Sequence, residues 1–284
     1  MNSEFSVTKV DGSKELFDKS KLLSSLTRAG ASDTDAEEIA SYVVARVSDG
    51  VSTTKMYRMA HRELARRNRP IAARYSLRRA LFDLGPTGFP FENFVGELFS
   101  ADGYDVSLRQ TLHGKCIEHE VDVLAVKGKE TIAIEVKFHN TIGFKTDARA
   151  ALYVKARMDD LKDPASKAGI TDGMLITNTK FTTSAMAYAW CAGLRVTGWS
   201  YPSEESLLNK MTRLAIYPIT ALSTLSASQK RHLLGKEVVL CKSLKENRRE
   251  LAQLGLSEEK IDEVLGEADG LCQLPHEART TAKS

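Results

Sequence analysis

A chain of 284 residues with a net charge of +3 and 42% hydrophobic residues is a globular protein with room for two or three domains, and its charge is too mild to name nucleic acid as a partner. No stretch is long and apolar enough to span a bilayer, and MNSEFSVTKVDGS lacks a basic start followed by an apolar run, so a cytoplasmic protein with no membrane partner is expected. Cys116, Cys191, Cys241 and Cys272 form no Cys-x-x-Cys pair, which argues against a disulfide framework or a zinc site.

In chain order, FSVTKVDGSKEL places two short β-favouring runs around Asp11-Gly12, a strong hairpin-turn signal. Helical patterns follow to about Leu84. Asp18 or Asp33 is suited to capping the first helices, Ser52-Thr53 to opening the third and Pro70 to starting the fourth. The text VTKVDGSKELFDKSKL, with STTKMY and AARYSLRRAL further on, resembles an ATP-cone, the small nucleotide-binding regulatory domain of ribonucleotide reductases and a few other proteins. The resemblance spans 1–84 and implies that Val7, Lys9, Glu15, Lys21 and Thr53 surround ATP or dATP, with the lysines facing phosphates. Val10 departs from it, because cones commonly have Arg there, and one phosphate contact is lost. Between Lys55 and Arg79 lie Arg58, Arg62, Arg66, Arg67, Arg69, Arg74 and Arg78, opposed only by Glu63. This run suits nucleic-acid phosphates, a solvated helix face or a dimer contact, leaving a homo-oligomer open.

Gly85-Pro86-Thr87-Gly88-Phe89-Pro90 breaks the helical pattern and marks a linker. A helix is predicted over 91–101, with Phe91, Phe94, Val95, Leu98 and Phe99 on one stripe, Glu92 at its edge and Glu97 opposite. A strand follows over 104–110. Residues 121–138, VDVLAVKGKETIAIEVKF, then read as a β-hairpin. Alternation sends Ile132, Ile134, Val136 and Phe138 to one face and Ala133, Glu135 and Lys137 to the other. With 127–130 as the turn, Val126 pairs with Thr131 and Asp122 falls opposite Glu135, their Cβ atoms roughly 5 Å apart.

Two carboxylates so close repel unless a cation lies between them, and a hard divalent metal is the natural occupant. Asp122 followed by Glu135-Val136-Lys137 at the end of an apolar strand resembles the PD-(D/E)XK nuclease superfamily, particularly its Mrr-type restriction endonuclease-like branch. Phe91-Glu92, with Gly103-Tyr104 and Val106 beyond, is similar to the helix signature of that branch, which implies that Glu92 reaches toward the metal site. His119 and Glu120 are candidates to support the site from behind.

Downstream, a helix over 147–161 ends at Asp163-Pro164, GMLITN is a buried strand, 182–191 a helix and LRVTGWS a last strand. This order of a helix, three strands, helix, strand, helix and strand is that of the nuclease core, over 88–200. Lys145, Arg149 and Lys155 are candidate DNA-phosphate contacts or simply solvated charges. Residues 201–274 read as helical. GLSEEKIDEVLGEADGL resembles the second half of a helix-hairpin-helix unit, and a small bundle used for packing or oligomerisation fits as well. The tail 275–284 lacks apolar periodicity and reads as disordered.

The expected fold is therefore an α/β multidomain protein: a small β-hairpin plus helical ATP-cone, a restriction-endonuclease-like α/β core with a mixed sheet, and a C-terminal helical segment. The function implied is a DNA endonuclease using Mg²⁺ or Mn²⁺, its catalytic residues Glu92, Asp122, Glu135 and Lys137 and its metal ligands Asp122 and Glu135. Nucleotide on the cone regulates it, since no Gly-x-x-x-x-Gly-Lys-Ser/Thr loop is present to hydrolyse ATP. The alternatives are a non-catalytic nucleotide sensor that binds DNA or a partner through a nuclease fold, and an RNA nuclease.

Overall fold

The computed structural model describes residues 5–273, and the tail from 275 onward lies outside them. Strands β1 (Ser6–Thr8) and β2 (Lys14–Leu16) pair antiparallel across a turn where Gly12 takes φ +82°, a left-handed backbone that glycine adopts freely. Helix α1 (Lys19–Arg28) is capped by the Asp18 carboxylate, which accepts the Ser20 N–H. The cap of α2 (Asp33–Val44) is Ser32 rather than Asp33, because Ser32 holds the extended backbone that frees its hydroxyl to accept the Asp35 N–H. Strand β3 (Val51–Ser52) joins β1 in parallel, and its Ser52 caps α3 (Thr53–Arg67). Asn68 then caps α4 (Arg69–Tyr75), with Pro70 in its first turn, and α5 (Leu77–Phe82) follows. Val7, Leu26, Ile39, Val43, Met56 and Leu64 form the core of this unit.

Helix α6 (Phe89–Ala101) begins two residues before the apolar stripe does. It lies against a five-stranded sheet built from β4 (Asp105–His113), β5 (Glu118–Lys127), β6 (Glu130–Lys137), β8 (Asp172–Thr177) and β10 (Arg195–Thr197). The spatial order is β10-β8-β6-β5-β4; β4, β5 and β6 are antiparallel, whereas β6, β8 and β10 are parallel, so the sheet is mixed. Short strands β7 (Lys145–Thr146) and β9 (Lys180–Phe181) pair beside it, and helices α7 (Ala148–Lys162) and α8 (Thr183–Cys191) cover its second face. Alternation sorts the side chains between the two faces. Val123, Ala125, Ile132, Ile134 and Val136 share a core with α6, while Ala133 and Leu175 pack with Val154 and Met158 of α7. Gly96 lets α6 come down on β4, since a Cβ there would sit 2.8 Å from Leu108 Cδ2.

The C-terminal helices α9 (Leu207–Leu214), α10 (Ala227–Gly235), α11 (Arg248–Gln253) and α12 (Glu258–Cys272) are shorter than the helical text suggested, broken by two 3₁₀ turns. Tyr217, Ile219, Leu233, Leu251, Ile261 and Val264 enter the same core as Leu77, Leu81, Phe91 and Phe94. This segment is therefore fused by burial to α5, α6 and the sheet. Glu267 of α12 is buried and accepts the Ser223 N–H, the Ser223 hydroxyl and the Thr224 N–H, each at 2.7–2.8 Å. Glu267→Ala strands those donors and is expected to lower stability by about 3 kcal/mol, read by denaturant unfolding. Among the described residues no helix is long and apolar enough to cross a membrane, and all four cysteines are free thiols.

Candidate active site

The hairpin of β5 and β6 has the expected register, with Val126 opposite Thr131, but Lys127 also pairs with Glu130, so the turn is only Gly128-Lys129. The ladder stops at Val123 and Ile134, one step before Asp122 and Glu135. On the other side, β4 pairs Leu108 with Val123 and Gln110 with Val121 but skips Arg109 and Asp122. Arg109 has φ +52°, a left-handed backbone costing a non-glycine residue roughly 1–2 kcal/mol. Both neighbours of β5 thus release it at Asp122. The Asp122 carboxylate fills the gap in the ladder by accepting the Val136 N–H at 2.7 Å, which fixes one oxygen and leaves the other for a further partner.

Around Asp122 stand the other predicted acids. Glu135 is largely buried, its side chain 13% exposed, and its Oε2 accepts from Arg157 Nη1 at 2.6 Å. Glu92, in the first turn of α6, lies 3.5 Å from Arg109 Nη1, which also donates to Asn93 Oδ1 at 2.9 Å. Burial pushes all three carboxyls above their ordinary range, and they push one another: Asp122 acts on Glu92 and on Glu135, and Glu92 on Glu135. Glu135 rises furthest, to about 7, even though Arg157 and Lys137 oppose the shift. Lys137 is exposed at the end of β6 and its charge acts on both Asp122 and Glu135.

Sequence reasoning missed Arg157 and Arg109. Arg157 lies on α7 one residue before Met158, within the run Val154, Met158 and Leu161 that faces the core. A charge on a buried stripe was the available signal, since it needs a partner. Its Nη2 donates to the Glu120 carbonyl, so it ties α7 to β5 as well as to β6. Nothing in the sequence announced the bend that turns Arg109 toward Glu92. Glu120 is exposed, and its carboxylate raises the pKa of both Asp122 and Glu92. His119 turns away from the site and is buried against Asp160, Nε2 to Oδ2 2.8 Å, where its hydrogen bond leads the interactions holding that carboxyl down at about 2. Lys155 and Arg149 pair with Asp159 and Asp147, and Lys145 is exposed on β7.

Among the described residues, no three His, Cys, Asp or Glu side chains converge as a metal cluster. The donor chemistry still suits a hard divalent ion. Such ions are commonly held by one or two carboxylates with substrate phosphates and water, and here a carboxylate pair carries mutual repulsion that a cation relieves.

In the N-terminal unit, Lys9 Nζ is 2.6 Å and Lys21 Nζ 3.6 Å from opposite oxygens of Glu15, so these three side chains meet on the rim of the small sheet. Thr53 opens α3. Val7 lies on the central strand of that sheet, paired with Glu15 on one side and Val51 on the other, and its side chain is buried in the core of the unit. Much of the arginine run is exposed but already paired with groups of the same chain. Arg66 pairs with Glu63, Arg67 with Asp35 and Glu38, and Arg69 with Glu263, while Arg74 donates to the carbonyls of Gly270, Leu271 and Gln273. Arg58 and Arg62 line a cleft with Arg79 and Lys230.

The ATP cone domain family matches residues 5–83 and the restriction endonuclease family of Mrr type matches 86–198. The protein is an N-terminal ATP-cone domain fused to a Mrr-type restriction-endonuclease-like domain, followed by C-terminal helices. Residues 217–272 match the family described as AF1548-like, C-terminal. An uncharacterized protein of Archaeoglobus fulgidus is 34% identical over 175 residues, 61% of this chain and 97% of its own length. The crystal structure of AF1548, a protein of unknown function, is 33% identical with a TM-score of 0.54, covering 66% of this chain and 98% of its own. The chain belongs to this AF1548-like family.

Proposed function

We propose that this protein is a metal-dependent endonuclease that hydrolyses phosphodiester bonds in DNA in the cytoplasm, under control of ATP or dATP held by its cone. The observation that carries the reading is the bend at Asp122, where both sheet neighbours let go and the Asp122 and Glu135 carboxyls lie within reach of each other's charge and of Lys137, with Glu92 acting on Glu135. Asp122 and Glu135 would hold Mg²⁺ or Mn²⁺, which polarises the scissile phosphate and acidifies water. The Val136 N–H orients Asp122, and Arg157 holds Glu135 in place and favours its charged form. Lys137, exposed and next to both acids, orients the attacking water and offsets charge on the phosphate oxygens. Glu92, its carboxyl pushed above the ordinary range by burial and by Asp122, takes part in moving that water's proton. Val7, Lys9, Glu15, Lys21 and Thr53 surround the nucleotide.

The test is cleavage of plasmid, linear duplex, single-stranded DNA and RNA in Mg²⁺ or Mn²⁺, with and without ATP or dATP. Metal-dependent DNA cleavage altered by nucleotide is expected, and preference for RNA would reassign the substrate. One observation favours the non-catalytic sensor: Arg157 already neutralises Glu135. DNA binding without cleavage under every condition would establish that reading instead. Within the nuclease reading, Arg157→Ala removes a charge that favours ionised Glu135. The pH at which the cleavage rate rises is then expected to move upward, which a pH–rate profile measures.

A further inference from the structure

The departure at Val10 leaves the cone one phosphate-binding cation short, and the structure brings other cations to the same place from outside the cone. Val10 is exposed and borders the loop of the nuclease-like domain between β6 and β7, with a Cβ built on Gly143 falling 3.7 Å from Val10 Cγ1. The next two short strands carry Lys145 and Lys180, which are direct partners in the β7–β9 ladder, so two ammonium-bearing side chains start side by side. Arg78 of α5 is half-buried, and its buried Nε has no hydrogen-bond partner. Partial burial first, and then the positive charges of Arg78, Lys145 and Lys9, push the Lys180 ammonium below the ordinary lysine range, so these three cations lie within reach of it.

Four cations from two domains are thus gathered, and a like-charged group of this kind lowers its energy by taking a polyanion. Glu15 and Asp11 are acids at its edge, both acting on Lys9, and Glu15 is already shared between Lys9 and Lys21. Lys9 belongs to the cone's nucleotide rim, which identifies the polyanion as the phosphate tail of the cone's own ligand. We infer that Lys145 and Lys180 of the nuclease-like domain, together with Arg78, complete the triphosphate site of the cone, so that nucleotide is bound across the domain boundary. On this inference the cation missing at Val10 is supplied by the lysines on β7 and β9, whose domain reaches Val10 through Gly143. These strands lie beside the β6 strand that bears Glu135 and Lys137, since the His139 N–H donates to Asn178 Oδ1 at 2.9 Å and Thr146 on β7 is hydrogen-bonded to Thr177 at the end of β8. A triphosphate drawn between the domains would set the position of the ribbon relative to the site.

This inference rests on the cone binding nucleotide and is independent of cleavage. The experiment is calorimetric titration of the full-length protein and its Lys145→Ala/Lys180→Ala variant with ATP, dATP, ADP and a short DNA duplex, without metal-dependent turnover. Both lysines are exposed, so the fold is retained, and a melting curve checks it. Loss of two charge-assisted phosphate contacts is expected to weaken ATP and dATP by about tenfold or more, and ADP by less. Arg78→Lys, which keeps the charge and removes the planar donor, gives a smaller loss in the same direction. ATP affinity decides the matter. Unchanged ATP binding in the double variant overturns the inference, and with weakened duplex binding it assigns the ribbon to nucleic acid instead. Failure of the wild type to bind any nucleotide also overturns it, whereas absence of DNA cleavage bears only on the nuclease reading.

Discussion

Asp122→Asn is expected to leave the melting temperature close to that of the wild type while reducing metal-dependent DNA cleavage by about a thousandfold or more, the scale set by losing several kcal/mol of charge stabilisation at the reacting phosphate. Asparagine is isosteric with aspartate, and its side-chain carbonyl can still accept the Val136 N–H that closes the gap between β5 and β6. It cannot supply the negative charge that recruits a divalent cation. Asp122→Ala removes both, so it should lose the same activity and also about 1–2 kcal/mol of stability from the stranded Val136 N–H. Lys137→Ala forms the third arm. That side chain is exposed, so its removal should reduce cleavage with little change in unfolding. Cleavage retained by Asp122→Asn would remove Asp122 from the chemistry, whatever the other variants do.

The hairpin was legible because period-two alternation, a Gly-Lys turn and a register with a constant sum are local properties. They place Val126 against Thr131 and carry the ladder to Val123 and Ile134. The two interruptions at Asp122 were not legible, since they depend on the left-handed Arg109 in another strand and on a carboxylate that replaces a backbone acceptor. Arg157 was missed for a related reason. Its partner Glu135 lies 22 residues earlier, on a strand covered by the helix, and a lone helical arginine gives no hint of which acid it meets. The C-terminal helices read as a separate helical segment, yet burial merges Leu233, Ile261 and Val264 with Phe91 and Leu81. Apolar periodicity announces that a helix has a face to bury without saying against what.

The second large effect concerns Glu135 and runs against activity. Its carboxyl titrates at about 7 in the folded protein, against 4.5 for an ordinary glutamate. Below pH 4.5 the group is protonated in folded and unfolded chains alike and contributes no difference. Between 4.5 and 7 the unfolded chain gives up the proton while the folded one keeps it, so the folded state binds more protons and stability falls as pH rises. Above 7 the full penalty is present, on the order of 3 kcal/mol. Glu135→Gln removes this titration, and it also relieves the repulsion on Asp122 and Glu92. In the absence of divalent metal, the variant's stability relative to wild type should therefore improve steadily from pH 4.5 to pH 8, whatever constant offset follows from its altered bond to Arg157. Thermal unfolding of both proteins across that range measures the slope. Adding Mg²⁺ at pH 8 should raise the wild type and leave Glu135→Gln nearly unmoved, while the variant loses cleavage. A difference between the two that stays flat with pH would mean that Glu135 ionises normally in the fold. The physical case for a cation at this site would then fall, because that case rests on the acid being held in a place where its charge is unwelcome until a metal arrives.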